Sequence, residues 1–510
     1  VRGDLDASTL SDVRRATMTE DEAELRLRAS VGGLLSKAPE VSAKRVLSDR
    51  QRSIAIALVA VIVICAVISV LTTCIVLIGI LIFLYLVAFS YRVVLFNRST
   101  RPGGLERVSD EEARSIPDSE LPIYTILVPA YQEADVIGLL VTHLGQLEYP
   151  ADKLDIKVLV EEDDIETIGA IESADPGQQF ELVVVPGADP RTKPKALNFG
   201  LGLARGDYVT VYDAEDEPEP LQLRRAVAAF SRLPADVACL QAKLSYSNSR
   251  QNLITRWFTV EYAMWFQLFL PGLATMNAPI PLGGTSNHFR RPYLQMIGAW
   301  DPYNVTEDAD LGLRMFREGF HVRVLDSVTY EEANSDFINW VRQRSRWYKG
   351  YFQTFLIHMR EPATLRRELG MRDVFQFFLF VGGTPLLALL NPLFWTLTII
   401  WFVAHPSFEL AAFPAPIYYA GIFCWAFGNF VIAYLTIITC RIIRRPDLLW
   451  ASIVAPIYWI MMSLAAAKAA IQLAFAPTFW EKTVHGLSRY GASGTDHTDP
   501  GHSAAESHSN

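Results

Sequence analysis

Val305-Thr306-Glu307-Asp308 opens the stretch around which this 510-residue chain is organised, and Gln343-Arg344-Ser345-Arg346-Trp347-Tyr348-Lys349-Gly350 closes it. The first motif has the form of a helix start: a Thr cap, acidic residues, then apolar Leu311, Leu313 and Met315. Gln343, Arg346 and Trp347 stand at i, i+3 and i+4, so a helix carries them on one face. Taken singly, an acidic first turn and a mixed helical face are common surface patterns. Their surroundings decide the fold. Strand-like runs at Ile123–Val128, Ile156–Val160, Leu182–Val185, Tyr208–Tyr212 and Val322–Leu325 alternate with helical patterns, which predicts an α/β layer architecture with a largely parallel sheet. Ligands of such sheets bind beyond the carboxyl ends of the strands. The polar motifs stand there: Tyr131-Gln132-Glu133 after the first run, Glu161-Glu162-Asp163-Asp164 after the second and Asp213-Ala214-Glu215-Asp216 after the fourth. Gly200-Leu201-Gly202 closes a helix before a strand, the reverse of the dinucleotide-binding order, and is discarded as a cofactor motif.

Outward from this domain the chain turns apolar. Ile54–Phe96 is about twice the ~20 residues that span a bilayer, so residues 51–98 are expected to form a transmembrane hairpin turning near Leu71-Thr72-Thr73-Cys74. Arg45, Arg50 and Arg52 precede it and Arg92, Arg98 and Arg101 follow, which places both flanks, and the domain they lead to, in the cytoplasm. Residues 1–50 alternate acidic and basic clusters and read as a polar, solvated cytoplasmic arm with some amphipathic helix and no assigned chemistry. Leu253–Leu273, aromatic but interrupted by Arg256 and Glu261, fits equally a buried helix and a helix at the membrane surface. Apolar runs return at Val374–Val403, Ile417–Thr439 and Leu448–Phe475, within a C-terminal transmembrane region at 373–476. Arg441, Arg444 and Arg445 mark a cytoplasmic loop between the last two. The last run carries Lys468, a costly charge at mid-span. The polar tail, 486–510, is expected to be disordered, and with His485 to lie in the cytoplasm.

Composition narrows the classes. With 51% apolar residues gathered into long runs and a net charge of −9, the chain lacks the electrostatic footprint of a nucleic-acid partner. Its five cysteines, Cys65, Cys74, Cys239, Cys424 and Cys440, have no metal spacing and read as small apolar side chains. The N-terminus is polar and mixed in charge, without the pattern of a cleavable secretory signal.

Carboxylates at a strand end, as in Asp213-Ala214-Glu215-Asp216, suit Mg²⁺ or Mn²⁺ held against a diphosphate, because hard cations take oxygen ligands and leave positions for phosphate oxygens. In order and spacing, Val128-Pro129-Ala130-Tyr131-Gln132-Glu133, the acidic run at Glu161, Lys193-Pro194-Lys195-Ala196-Leu197-Asn198, Asp213-Ala214-Glu215, Gly284-Thr285 with Arg290-Arg291, Thr306-Glu307-Asp308 and Gln343-Arg344-Ser345-Arg346-Trp347 resemble the processive, membrane-embedded glycosyltransferases of family 2. Cellulose synthase, hyaluronan synthase and poly-N-acetylglucosamine synthase belong to that group. The resemblance covers residues 120–360 through motifs and the flanking spans through layout.

The resemblance implies a GT-A-type, Rossmann-like cytoplasmic glycosyltransferase domain over 120–365 with interfacial helices, flanked by transmembrane α-helices. It implies an inverting transfer from a nucleoside diphosphate sugar, UDP-linked, to a growing polysaccharide, with Mg²⁺ or Mn²⁺ as cofactor. Asp308 would be the base, at a catalytic motif shared with Thr306 and Glu307. Pro129, Tyr131, Glu133, Glu162, Asp163, Lys193, Asp213 and Arg346 would hold the nucleotide sugar, and Asp213, Glu215 and Asp216 the metal. Trp347, Gln343, Arg344, Gly284 and Thr285 would face the acceptor. Two departures stand out. The usual Asp-Asp at the uracil is here Glu162, with Asp163 as fallback, and the usual DxD reads Asp-Ala-Glu-Asp, so either Glu215 or Asp216 would be the second metal ligand. The lipid bilayer and export partners complete the expected associations. A polyprenyl phosphate or other lipid acceptor is the alternative substrate, and an inactive membrane assembly or sensor protein the alternative of another class.

Overall fold

The computed structural model describes residues 14–174, 176–404, 413–477 and 479. The tail expected to be disordered, His485 and the first 13 residues of the arm lie outside the described residues.

Ten strands form one sheet. In chain order they are β1 (Arg14–Arg15), β2 (Leu105–Glu106), β3 (Tyr124–Ala130), β4 (Leu154–Glu161), β5 (Phe180–Val185), β6 (Tyr208–Val211), β7 (Glu217–Pro218), β8 (Val237–Tyr246), β9 (Asn287–Arg290) and β10 (His321–Glu331). The spatial order is β1-β5-β4-β3-β6-β9-β8-β10-β2, with β7 pairing β10. β3 runs parallel to both neighbours, Tyr124 lying opposite Leu154 and Tyr208. The parallel character expected from the alternating pattern holds except at β9, which is antiparallel to β6 and β8, and at short β7, antiparallel to β10. Central strands β3 and β4 are buried along almost their whole length, as strands covered on both faces must be.

The polar arm is not simply solvated. β1 adds to the sheet edge at β5, and α1 (Glu20–Lys37), opened by a capping box at Thr19 and Glu22, packs on the helix that carries Lys193. Buried Asp301 then receives the Ala43 amide at 2.5 Å. The charged residues are the arm's outer face, which composition alone cannot distinguish from a free chain.

Among the described residues, five helices are long and apolar enough to cross a membrane. The hairpin is α2 (Asp49–Ile68) and α3 (Val70–Ser99), which break at Ser69, earlier than the expected turn, because Ser69 leaves helical geometry and caps α3 by accepting from the Thr72 amide. Next come α4 (Lys193–Leu201), α5 (Leu253–Met264), α6 (Glu307–Arg317) and α7 (Phe337–His358) within the sheet domain. α8 (Pro362–Phe377), kinked at Gly370 (φ +78°), leads through a wide turn at Phe378–Gly382 into α9 (Gly383–Ala404). α10 (Ala415–Ile442) and α11 (Ala455–Phe475) follow.

α5 continues through a π-turn, Trp265–Phe269, into a last turn at Leu270–Thr275. This unit joins both readings of the run: Trp257, Phe258 and Phe266 are buried, and it forms the floor on which α3 and α10 rest. Gly272 makes that seating possible, since a Cβ there would stand 2.4 Å from the Leu95 carbonyl oxygen of α3. Gly272→Ala should therefore cost about 1–3 kcal/mol through overpacking. A lowered melting temperature of the detergent-purified protein is the expected result, and an unchanged one would show that α3 does not rest there.

Candidate active site

The strand ends, the starts of α4 and α6, and one face of α7 open onto a single cavity of about 770 Å³ that continues between the membrane helices. At its sheet end, Lys193 begins α4 and donates to Asp213 Oδ1 at 2.5 Å and to the Gly284 carbonyl at 2.9 Å. The Asp213 carboxylate and other nearby acids hold the Lys193 ammonium above its ordinary range against the effect of burial. Gly284 lies between the motifs: a Cβ on it would sit 3.4 Å from Asp308 Oδ2 and 3.9 Å from Lys193 Nζ. That space is walled by a carboxylate and an ammonium.

Asp308 Oδ1 accepts the Ala309 amide at 2.7 Å, while Oδ2 faces Gly284. Burial, above all, raises the carboxyl, and the Ala309 amide, Lys193 and Arg346 pull it back. Glu307 beside it is pushed up to about 8, by burial first and then by the Asp308 charge. Two adjacent buried carboxyls resist double ionisation, so Glu307 keeps its proton and Asp308 carries the charge. Thr306 starts α6 without a side-chain capping bond, since its side chain is pressed against α7 at Gly350. Arg346 faces Glu307, Asp308 and Asp213.

Of the expected metal residues, Asp213 and Glu215 line the cavity and Asp216 does not. Asp216 is fully buried, and its Oδ2 accepts the Asp213 amide at 2.8 Å and the Thr285 hydroxyl, which locks the turn. Its Oδ1 has no hydrogen-bond partner among the described residues. Glu331, unsignalled in the sequence, adds its carboxyl to this group and is held well above the ordinary range by burial and then by Asp216 and Asp213. Among the described residues no three His, Cys, Asp or Glu side chains converge on one point. A donor set of two cavity-facing carboxylates nonetheless fits Mg²⁺ or Mn²⁺, which commonly takes its remaining oxygens from phosphate and water.

Pro129, Tyr131 and Glu133 line the same end of the cavity. Glu162 and Asp163 are exposed outside it, Glu162 leaning on Gly187 and Asp163 pairing with Arg191. The buried acids of that run are Glu161, which lines the cavity and receives Lys195 at 2.7 Å, and Asp164, which accepts from the Gln132 and Thr167 amides and so fixes the Gln132 turn (φ +58°). On α7, Gln343 receives the Asn334 amide at 2.8 Å. Trp347 lines the cavity, stacked on Tyr262 at 5.9 Å between ring centres. Arg344 holds Glu261 of α5 with two bonds, at 2.9 and 2.5 Å, and lies 4.7 Å from the Trp347 ring centre. It orients the cavity wall through its neighbours. Nothing in the sequence pairs Arg344 with Glu261, because the two lie on different helices.

Glu307 makes stability depend on pH. Its folded value, about 8, lies above the ordinary 4.5, so the stabilisation from the protonated form is complete below 4.5 and is lost as pH rises through about 8. Melting temperatures of the wild type should accordingly fall more steeply than those of Glu307→Gln between those limits; parallel curves would show Glu307 already ionised.

The family profile described as "Glycosyltransferase like family 2" matches residues 122–350. Among curated proteins, the chain is 26% identical to a probable glycosyltransferase, YdaM, of Bacillus subtilis (strain 168) over 56% of this chain and 70% of that protein. It is 27% identical to the beta-monoglucosyldiacylglycerol synthase of Synechocystis sp. over 72% of this chain and 76% of that one. A probable glucomannan 4-beta-mannosyltransferase of Arabidopsis thaliana is 27% identical over 56% of this chain, which spans only 50% of that relative's length. Among solved structures, the mannosyltransferase PcManGT from Pyrobaculum calidifontis in complex with GDP-Man and Mn²⁺ aligns with a TM-score of 0.48 and 18% identity, over 78% of this chain and 99% of that one. The mixed sheet with its strand-end acids is of the GT-A type, and residues 122–350 carry a domain that matches the glycosyltransferases of family 2.

Proposed function

We propose that this chain is a multi-pass, inverting glycosyltransferase of the cell membrane that moves a sugar from a UDP-linked donor to a growing polysaccharide on the cytoplasmic side. The observation that carries the reading is the cavity, which runs without interruption from Lys193, Asp213 and Asp308 to Trp395, Trp425 and Asn429 among the membrane helices. An acceptor lying in it presents its end hydroxyl to Asp308. Aromatic rings and amides along the way suit the apolar faces and hydroxyls of sugars.

In the single displacement, the acceptor oxygen bonds to the anomeric carbon as the bond from that carbon to the diphosphate breaks. Asp308 Oδ2 accepts the hydroxyl proton, and Glu307, protonated, does not compete for it. Lys193 and Arg346 bind the departing diphosphate through charge-assisted hydrogen bonds. A divalent ion held by Asp213 and Glu215 would supply further neutralisation of that leaving group. Purified protein given individual UDP-sugars with Mg²⁺ or Mn²⁺ should yield a sized polymer from one of them. Asp308→Asn should lower turnover by ~10² or more with UDP binding retained; near-normal turnover would remove Asp308 from the mechanism.

Contacts at both ends of α11 support a cytoplasmic tail. The Trp257 indole of α5 donates to Ala451 just before α11, at 2.7 Å, and Gln353 of α7 donates to Pro477 just after it, also at 2.7 Å. Between these points α11 lies along α7, packing Tyr458, Ala465 and Ala469 into one cluster with Trp340 and Tyr348. A helix held by the catalytic domain at both ends runs along the membrane boundary. Lys468 then needs no place at mid-bilayer. Arg445, bonded to Ser249 of the catalytic domain at 3.1 Å, puts the loop before α11 on the same side. Four crossings, by α2, α3, α9 and α10, leave the tail cytoplasmic. Ser503→Cys, in a variant lacking the five native cysteines, should resist an impermeant thiol reagent in intact cells and react after lysis; labelling of intact cells would refute this arrangement.

A further inference from the structure

Arg92 lies in α3 and lines the same cavity as Asp308 and Trp347. With 30 residues, α3 is about 45 Å long against the ~30 Å of bilayer hydrocarbon, so its final turns pass through the head-group level on the side of the catalytic domain. Arg92, seven residues before the end at Ser99, stands about 10 Å from that end. Cations in such positions pair with an acid, a carbonyl or a substrate.

Among the described residues Arg92 has no acid, carbonyl or other such partner. Among the described residues it makes neither hydrogen bond nor ion pair, and the titratable groups near enough to act on it are Tyr348, Tyr85 and Glu261. Glu261 is already neutralised by the two bonds from Arg344 and also accepts the Tyr458 hydroxyl at 2.5 Å. The Tyr85 hydroxyl is spent on the Leu387 carbonyl at 2.8 Å. The guanidinium therefore contributes an uncompensated positive charge to the cavity wall. The wall beside it is hydrocarbon: Ala88 and Phe89 on its own helix, Leu387 and Phe394 on α9.

A fork of N–H donors at head-group level, with an apolar lining that continues into the membrane, matches a phosphate carried on a hydrocarbon chain. We propose that Arg92 is an anion subsite at the membrane edge of the cavity, and that the acceptor on which a glycan is begun is a lipid bearing a phosphate. No bond is made or broken at Arg92; it places the acceptor. The inference rests on the reading of the cavity as the acceptor site and specifies what first enters it.

The probes are farnesyl phosphate, farnesol and inorganic phosphate, titrated against the full-length protein in detergent with thermal stabilisation as the readout. Farnesyl phosphate should bind saturably and at least about tenfold more tightly than farnesol or inorganic phosphate, the worth of a charge-assisted contact. Arg92→Gln should lose that preference and Arg92→Lys should keep most of it. Equal affinity for farnesyl phosphate and farnesol would overturn the subsite, as would an Arg92→Gln variant that retains the preference. Inorganic phosphate binding as tightly as the lipid would overturn the lipid assignment. The comparison within the wild type decides the matter even where a variant fails to fold. UDP is titrated in the same preparations: absent UDP binding with an intact phosphate preference would count against the proposed transfer and leave the subsite standing.

Discussion

Everything in the site depends on how closely α6 approaches α7. Gly350 permits it, because a Cβ there would stand 2.2 Å from Thr306 Oγ1, a distance no side chain tolerates. Gln353 accepts the Val305 amide at 3.1 Å, and Thr354 receives the Asn304 amide at 3.1 Å, so the last turns of α7 hold the loop that leads to Glu307 and Asp308. Farther along, His358 donates through Nε2 to buried Asp310 at 2.9 Å while its Nδ1 accepts from Arg317 at 2.9 Å. Those two roles require neutral imidazole, and burial holds His358 below its ordinary range. Asp310 also pairs with Arg314, which caps the Ile297 and Ala299 carbonyls at 3.1 and 2.6 Å. The acid pair on α6 and Arg346 on α7 are thus presented by one rigid body.

A second constraint joins that body to the membrane. Arg344 bridges α7 to Glu261 of α5, Tyr458 of α11 donates to the same carboxylate, and the rings of Phe258, Trp340 and Trp347 surround the guanidinium. Such a network is weak evidence of stability, since desolvation offsets much of its attraction, yet removing one member would strand a buried charge at a cost of about 3–5 kcal/mol. Its value is geometric. It fixes Trp347 at the point where the cavity leaves the sheet domain and enters the helices.

Much of this was legible in the chain itself. Short strand-like runs alternating with helical patterns disclosed the parallel strands, and the acids at their ends disclosed where the cavity opens, because both follow from local sequence. β9 was not visible: its four residues, Asn287–Arg290, carry no alternation, and the strand exists only because β6 and β8 leave a gap that it fills. Glu215 and Asp216 are adjacent in sequence and chemically alike, and only the turn geometry turns one toward the cavity and buries the other. Asp310 with His358, Glu261 with Arg344 and the isolation of Arg92 are likewise tertiary facts. The arm shows the same limit, since a charged stretch has no local signature of what its few apolar residues will touch.

The balance of charge in the cavity argues for its chemistry from another direction. Glu133, Glu161, Asp213, Glu215 and Asp308 contribute carboxylates to its sheet end, while burial and then neighbouring carboxylates raise Asp216 and Glu331 well above the ordinary range. Against these, at that end, stand Arg191, Lys193 and Arg346. A nucleoside diphosphate brings further negative charge to a place where carboxylates already outnumber cations, and in a partly desolvated site that repulsion is poorly screened. Lys193 cannot serve both Asp213 and the diphosphate without help. Asp213 and Glu215 would hold a divalent cation here, which would supply the positive charge that Lys193, already paired with Asp213, does not.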